Sequence, residues 1–380
     1  MAAAYHQAML LDPHVIPALA SQIQAAAAAS QPLRLRGGGS KDFYGEALNG
    51  EVLDTSALNG VVSYEPSELV ITVLAGTPLA EVEALLTSHN QCFAFEPPHF
   101  GPDTTVGGMV ASGLSGPARA SVGAVRDYML GIKVINGRGE HLTFGGQVMK
   151  NVAGYDVSRL MAGSLGTLGL ITEVSLKVLP IAPAEATLRF QCSQQQALDW
   201  LNAWGGKPLP LNASCWVEDA GVGTLYLRLR GAVAAVEAAC KTLCALGGEQ
   251  KSNAAVAADW QACRDQTLPW FAQRAPSQDL WRLSVPQTAP VLDLPDSPLI
   301  EWHGGLRWYR AAVGHGPRLR EAAKAAGGHA TLFVASNAHQ TSAIARFDAL
   351  KPPLDRIHRE LKREFDPAGI FNRGRLSAGW

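Results

Sequence analysis

The sequence predicts an α+β protein: a mixed α/β first domain, a second domain of antiparallel sheet layered with helices, and a C-terminal segment. Three observations carry this. At 380 residues the chain exceeds a single typical core. Its strand and helix pattern changes character at Pro180 and Pro183. Glycine is concentrated in three segments, all before that change. The expected divisions are residues 1–182, 183–353 and 354–380.

Taken in order, residues 16–30 are good helix formers with no interior proline after Pro17, and predict a helix. Leu33-Arg34-Leu35 follows as a short strand ending in Gly37-Gly38-Gly39. Residues 69–74 form a buried-strand run, and Gly76 turns the chain. Thr77 is placed to cap a helix beginning at Pro78, with Leu79, Val82, Leu85 and Leu86 on one face. Residues 91–95 are expected to return as a strand, completing a β-α-β unit. Residues 128–135 are strand-like, and Asn136-Gly137 opens a tight turn into a second strand at 141–144. In 170–179, Leu170, Thr172, Val174, Leu176 and Val178 alternate with Glu173, Ser175 and Lys177, the period of a strand.

Past Pro183 the order becomes strand (186–190), helix (194–203), two strands (213–217 and 225–229) and an Ala-rich helix (232–246). That order implies an antiparallel sheet layered with helices. A looser copy recurs in strands near 280–285, 299–303 and 306–311, a helix near 318–326 and a strand at 330–335. Residues 290–298, rich in Pro and Asp, read as a surface loop. A last helix spans about 354–364.

Composition excludes several classes. Lys plus Arg number 32 and Asp plus Glu 33, so no basic excess points to nucleic acid. Six cysteines include no C-x-x-C pair, so no iron–sulfur cluster is encoded. Cys240 and Cys244 are expected on a packed helix face rather than at a metal. The thiol usage suits a reduced, cytoplasmic setting. No Lys or Arg precedes Arg34, so a signal peptide's basic region is missing, and no apolar run reaches transmembrane length.

Three glycine segments carry the chemistry. Arg36-Gly37-Gly38-Gly39-Ser40-Lys41 follows a strand, and successive glycines allow backbone N–H groups to converge on a diphosphate. The run from Pro97 to Gly116 holds Thr104, Thr105, Gly107, Gly108, Ala111, Ser112 and Ser115, small residues dense enough to imply close approach to a ligand. Gly163-Ser164-Leu165-Gly166-Thr167-Leu168-Gly169 is the third. None matches a nucleotide P-loop or the strand–GxGxxG–helix dinucleotide fingerprint. The first two loops are expected to fold toward each other and hold a diphosphate with main-chain amides.

This trio resembles the FAD-binding domain of the vanillyl-alcohol oxidase (PCMH-type) flavoprotein family. Lys150-Asn151-Val152-Ala153-Gly154-Tyr155-Asp156, the third segment continuing to Glu173, and the ending Phe365-Asp366-Pro367-Ala368-Gly369-Ile370-Phe371-Asn372 resemble the branch of glycolate oxidase and D-lactate dehydrogenase subunits. The short chain is most similar to the smaller flavin subunit of glycolate oxidase complexes. The resemblance implies a two-lobed FAD-binding domain, an antiparallel α/β cap domain, a C-terminal tail returning to the FAD domain, and one FAD. Arg36, Gly37, Gly38, Gly39, Ser40 and Lys41 would wrap its pyrophosphate, and Pro98, Thr104, Thr105, Gly107, Gly108, Ala111 and Ser112 would line the other side. It further implies Val125 and Arg126 near the flavin, Ile171 at the adenine, and Asn372 reaching the isoalloxazine from the returning tail. The family commonly has proline after that asparagine; this chain has Arg373. Many relatives attach the flavin to a histidine in the first loop; none is present here, so binding is expected to be non-covalent. His99 is expected to contact flavin.

Oxidising a 2-hydroxy acid needs a base for the hydroxyl proton and cations for the carboxylate. His303 is the candidate base, and Arg307 or Arg310 the bidentate clamp. The alternative is a hairpin whose arginines are solvated. Catalytic subunits of the branch carry a second histidine nearby, where this chain has Leu306 and Trp308. The resemblance therefore implies an FAD subunit of a glycolate dehydrogenase complex, oxidising glycolate to glyoxylate. Its implied partners are a larger FAD-binding catalytic subunit and an iron–sulfur subunit. A self-sufficient flavin oxidoreductase is the alternative. The expected location is cytoplasmic, peripheral to the membrane only through the complex.

Overall fold

The computed structural model describes residues 11–146, 156–219, 221–337 and 344–377. Lys150 to Tyr155 of the fourth motif lie outside them. The chain divides into two units, the first being Met1–Leu114, Ala124–Ile181 and Ala349–Trp380, the second Ser115–Gly123 and Ala182–Asp348. The short excursion Ser115–Gly123 has no marker in the sequence. Mixed helix and sheet in both units give the α+β class.

In the first unit, helix Val15–Ala28 buries Leu19, Ile23 and Ala26 against strands β1 (Leu33–Arg36) and β2 (Glu51–Asp54), which pair in parallel. The tail joins this core through Ile370 and Phe371. A five-stranded antiparallel sheet follows, built from β3 (Val61–Glu65), β4 (Val70–Leu74), β6 (Met129–Ile135), β7 (His141–Gly145) and β8 (Leu170–Lys177) in the order β3-β4-β8-β6-β7. The expected β-α-β unit does not form. Helix Leu79–Ser88 does follow β4, but β5 shrinks to Gln91–Cys92 and pairs with β9 (Leu179–Pro180) in a separate two-stranded sheet. Nor does Thr77 cap that helix, whose N-cap is Pro78. Its hydroxyl instead donates to the Leu74 carbonyl at 2.7 Å and accepts the Gly60 N–H at 2.9 Å, fixing the turn that leaves β4.

The second unit is an eight-stranded antiparallel sheet, comprising β10 (Ala184–Gln191), β11 (Leu211–Asp219), β12 (Val222–Gly231), β13 (Glu249–Lys251), β14 (Gln278–Ser284), β15 (Leu299–Glu301), β16 (Leu306–Ala312) and β17 (His329–Val334). Its order is β13-β10-β12-β11-β15-β16-β14-β17. Each half, read from its outer edge, runs last, first, third, second. The looser copy seen in the sequence is thus a repeat of topology, with the halves joined at β11 and β15.

The repeat is incomplete in one respect. Helix Gln194–Gly205 connects β10 to β11, whereas residues 285–298 connect β14 to β15 with no helix. That stretch is not merely a surface loop, because Ala289 and Leu292 are buried in the core of the second half. Of the two helical cysteines, Cys240 is buried and Cys244 exposed, so only the first sits on the packed face.

Candidate functional site: a glycine-walled cleft

A cleft in the first unit, with about 780 Å³ of atom-free space including its mouth, is built from all three glycine segments. β1 delivers the first loop to its edge. An added Cβ at Gly37 would sit 2.4 Å from Thr105 Oγ1, and one at Gly38 only 1.5 Å from the Asp103 carbonyl oxygen. The first and second segments are therefore in main-chain contact, which only glycine permits. Thr104 Oγ1 reinforces it with a 2.8 Å bond to Ser40 Oγ.

Among the described residues, the backbone N–H groups of Gly37, Gly38, Gly39 and Ser40 find no acceptor in the chain. Four consecutive uncommitted donors beside a cleft are a recognisable anion cradle, since unpaired backbone amides are otherwise rare. The second segment contributes differently from the expectation. Gly107 N–H donates to the Ala75 carbonyl (2.7 Å) and Gly108 N–H to Thr105 Oγ1 (3.2 Å), the N-cap of helix Val106–Ser112. Here glycine provides a bare wall rather than donors.

Arg36 and Lys41 line the cleft beside the cradle. Arg36 pairs with Asp42 at 3.1 Å, and Lys41 Nζ reaches the His99 carbonyl at 3.3 Å. The third segment supplies Leu165, Gly166 and Gly169, followed by Ile171. Asn372 closes the wall. Its side-chain oxygen accepts the Leu35 N–H (2.8 Å), and its amide donates to the Leu165 carbonyl (2.6 Å), so it braces β1 against the third segment.

Of the sequence-derived cofactor residues, Arg36 to Lys41, Thr105, Gly107, Gly108, Ala111, Ser112, Ile171 and Asn372 meet at this cleft. Four do not line it. Thr104 is turned to Ser40 and the Gly101 carbonyl behind the loop. Pro98 and Val125 are buried elsewhere, and Arg126 is exposed beside Asp127. Nor does the His99 ring, which lies 2.8 Å from Glu83 Oε2. Arg375 was not anticipated. Nearly buried, it lines the cleft and donates to the carbonyls of Glu46, Lys41 and Asp42, so it holds the first loop in place. Carbonyl acceptors in a loop leave no trace in sequence, so nothing there could have flagged it.

The proposed catalytic trio is dispersed within the second unit. Arg307 is fully buried and donates to the carbonyls of Gly304 (3.2 Å), Ala289 (2.6 Å) and Pro290. It satisfies the helix-free connection 285–298, whose carbonyls have no helical partners, and has no room to clamp a substrate. Arg310 lines a different cavity, with one N–H on the Trp270 carbonyl. His303 stands between Ser214 Oγ and Ser121 Oγ, each 3.0 Å from a ring nitrogen. Burial pushes its pKa down to about 4, a poor match for a base working near neutrality.

That burial has a pH consequence. The unfolded chain protonates this imidazole below about pH 6.5, whereas the folded one resists until about 4. Stability from the neutral ring is therefore present above pH 6.5 and lost as pH falls toward 4, on the order of 3 kcal/mol. Melting curves across this window should show a shallower decline for His303→Gln than for the parent; an identical decline would place the titrating group elsewhere.

Residues 8–145 match the FAD binding domain family. Glycolate oxidase subunit GlcE of Escherichia coli (strain K12) is 44% identical over 370 residues, 97% of this chain and 99% of that protein. The chain belongs to the glycolate oxidase subunit GlcE family. Its cofactor is FAD. Glycolate oxidase subunit GlcD of Bacillus subtilis (strain 168) is similar over a shorter stretch, 31% identical across 37% of this chain and 29% of its own. Among solved structures, an alkyldihydroxyacetonephosphate synthase superposes with a TM-score of 0.64 at 16% identity, covering 95% of this chain and 74% of that one, which shows a shared fold.

The cleft fits the cofactor. An FAD diphosphate needs close main-chain approach and N–H donors, and the Gly107–Gly108 wall and the amides of residues 37–40 offer both.

Proposed function

We propose that this chain is the FAD-holding subunit of a multi-subunit glycolate oxidase, contributing to oxidation of glycolate to glyoxylate. The observation that carries this reading is the row of uncommitted amides at Gly37, Gly38, Gly39 and Ser40 in a cleft whose other lining includes Gly107 and Gly108. Arg36 and Lys41 add positive charge where a diphosphate would lie. Asn372 and Arg375 keep the loop and tail in place, so donors are set before the ligand arrives. When bound, FAD would supply the acceptor for a hydride from the carbon bearing the hydroxyl.

The chain's own residues support holding rather than oxidising alone. Arg307 is spent on carbonyls, His303 is neutral between two serines, and Arg310 faces another cavity. Deprotonating the hydroxyl and orienting the carboxylate then fall to a partner subunit, and onward electron transfer to an iron–sulfur subunit. No helix among the described residues is long and apolar enough to cross a membrane. Our reading places the chain in the cytoplasm, reaching the membrane only through the complex.

Adding glycolate anaerobically to the purified, FAD-loaded chain should leave the flavin oxidised, and adding the partner subunits should bleach it. Bleaching of the isolated chain at a rate matching the complex would contradict this division of labour.

A further inference from the structure

A second cavity, enclosing about 400 Å³ where the glycine cleft encloses about 120 Å³, lies wholly within the second unit and shares no lining residue with that cleft. It arises from how the sheet is covered. Side chains alternate along β11. Trp216 packs with Leu198 and Leu201 of helix Gln194–Gly205, whereas Cys215 and Val217 face the opposite side. On that side the cover is helix Asn253–Asp265 and the single turn Pro269–Ala272, which leave space of the size that small-molecule sites occupy, about 300–1,000 Å³.

The lining is specific in character. Trp260 and Trp270 are buried and contribute apolar surface, and the Trp260 indole N–H is taken by Thr187 Oγ1 at 3.0 Å. Arg310 lies 4.6 Å over the Trp270 ring and uses one N–H on the Trp270 carbonyl. Among the described residues it has no carboxylate within ion-pair distance, so its remaining donors are uncommitted. Burial lowers its pKa and the charge of Asp296 offsets this only in part, a remaining cost that a bound anion would relieve. At the mouth stand Asp219 and Asp259, both exposed and neither in a hydrogen bond or ion pair among the described residues.

These charges select the ligand class. A simple anion would satisfy Arg310 but face the carboxylates of Asp219 and Asp259, and a simple cation would suit the mouth but meet the guanidinium. We propose that this cavity binds a small zwitterion with an apolar body, namely an α-amino acid with an aromatic or branched aliphatic side chain. Its carboxylate rests on Arg310, its side chain on the two indoles, and its ammonium faces Asp219 and Asp259.

The test uses the full-length, FAD-loaded chain with indole fluorescence and calorimetry. Three probes are compared: L-phenylalanine, 3-phenylpropanoate without the ammonium, and 2-phenylethylamine without the carboxylate. Saturable binding of L-phenylalanine is expected, with each single-charge analogue weaker by about tenfold or more. Arg310→Met should weaken L-phenylalanine by a similar factor while leaving 2-phenylethylamine bound no more weakly, since the cation that repels it is gone. Asp259→Asn, at an exposed position that cannot threaten folding, should weaken L-phenylalanine and spare 3-phenylpropanoate. Absence of saturable L-phenylalanine binding, equal binding of 3-phenylpropanoate, or indifference to both substitutions would overturn the proposal. FAD occupancy is unaffected in every case, so failure here leaves the glycine cleft untouched.

Discussion

Gly108→Glu is expected to purify folded but without flavin. An added Cβ at Gly108 meets only Thr105 Oγ1, at 3.2 Å, so the helix backbone tolerates a side chain. Glutamate is also a better helix residue than glycine by roughly 0.5–1 kcal/mol. The rest of the side chain must enter the cleft, placing a carboxylate where a diphosphate would lie. Like charges at such range cost several kcal/mol, so FAD affinity should fall by about a thousandfold. Gly38→Ala makes the contrast, because its Cβ would overlap the Asp103 carbonyl. That variant should lose both flavin and thermal stability. Flavin absorbance per protein, measured beside a melting curve, separates the two outcomes. A yellow Gly108→Glu protein with normal occupancy would count heavily against the assigned site.

Lys362→Met should strongly destabilise the attachment of the tail. Lys362 Nζ, nearly buried, donates to Asp366 (2.6 Å), the Thr167 carbonyl (2.6 Å) and the Phe371 carbonyl (3.0 Å). Asp366 in turn accepts the N–H groups of Ile370 and Phe371. Removing the ammonium strands a buried carboxylate, which costs about 3–5 kcal/mol. Thr167 follows Gly166, and Phe371 precedes Asn372, so loosening this cluster also slackens two walls of the cleft. Denaturant unfolding should show the loss of stability, and flavin should dissociate faster. Lys362→Met/Asp366→Asn should recover part of the stability, since no net charge is then stranded. A single variant within about 0.5 kcal/mol of the parent would show that the cluster does not hold the tail.

Much of this architecture was legible because it rests on local patterns. Alternation marked β8, and the scarcity of side chains in residues 36–41 and 97–116 marked the cleft. Failures came where a partner is distant. Residues 91–95 looked like the second strand of a β-α-β unit, but β5 finds its partner at Leu179, which no local signal announces. Arg307 looked like a clamp because a cation beside a histidine suggests chemistry. Its real acceptors are carbonyls of a connection that lacks a helix only in the second half of the repeat. Lys362 and Arg375 escaped notice for the same reason: main-chain acceptors carry no residue identity. Gly107 and Gly108, singled out for their missing side chains, do line the cleft, but their N–H groups are already used within the chain.

The central claim is that the amides of Gly37, Gly38, Gly39 and Ser40 grip a diphosphate. Titrating the flavin-free chain with FAD and, separately, with riboflavin, which has no diphosphate, tests it most directly. The account predicts that FAD saturates at one per chain while riboflavin binds far more weakly. Riboflavin binding as tightly as FAD would contradict it.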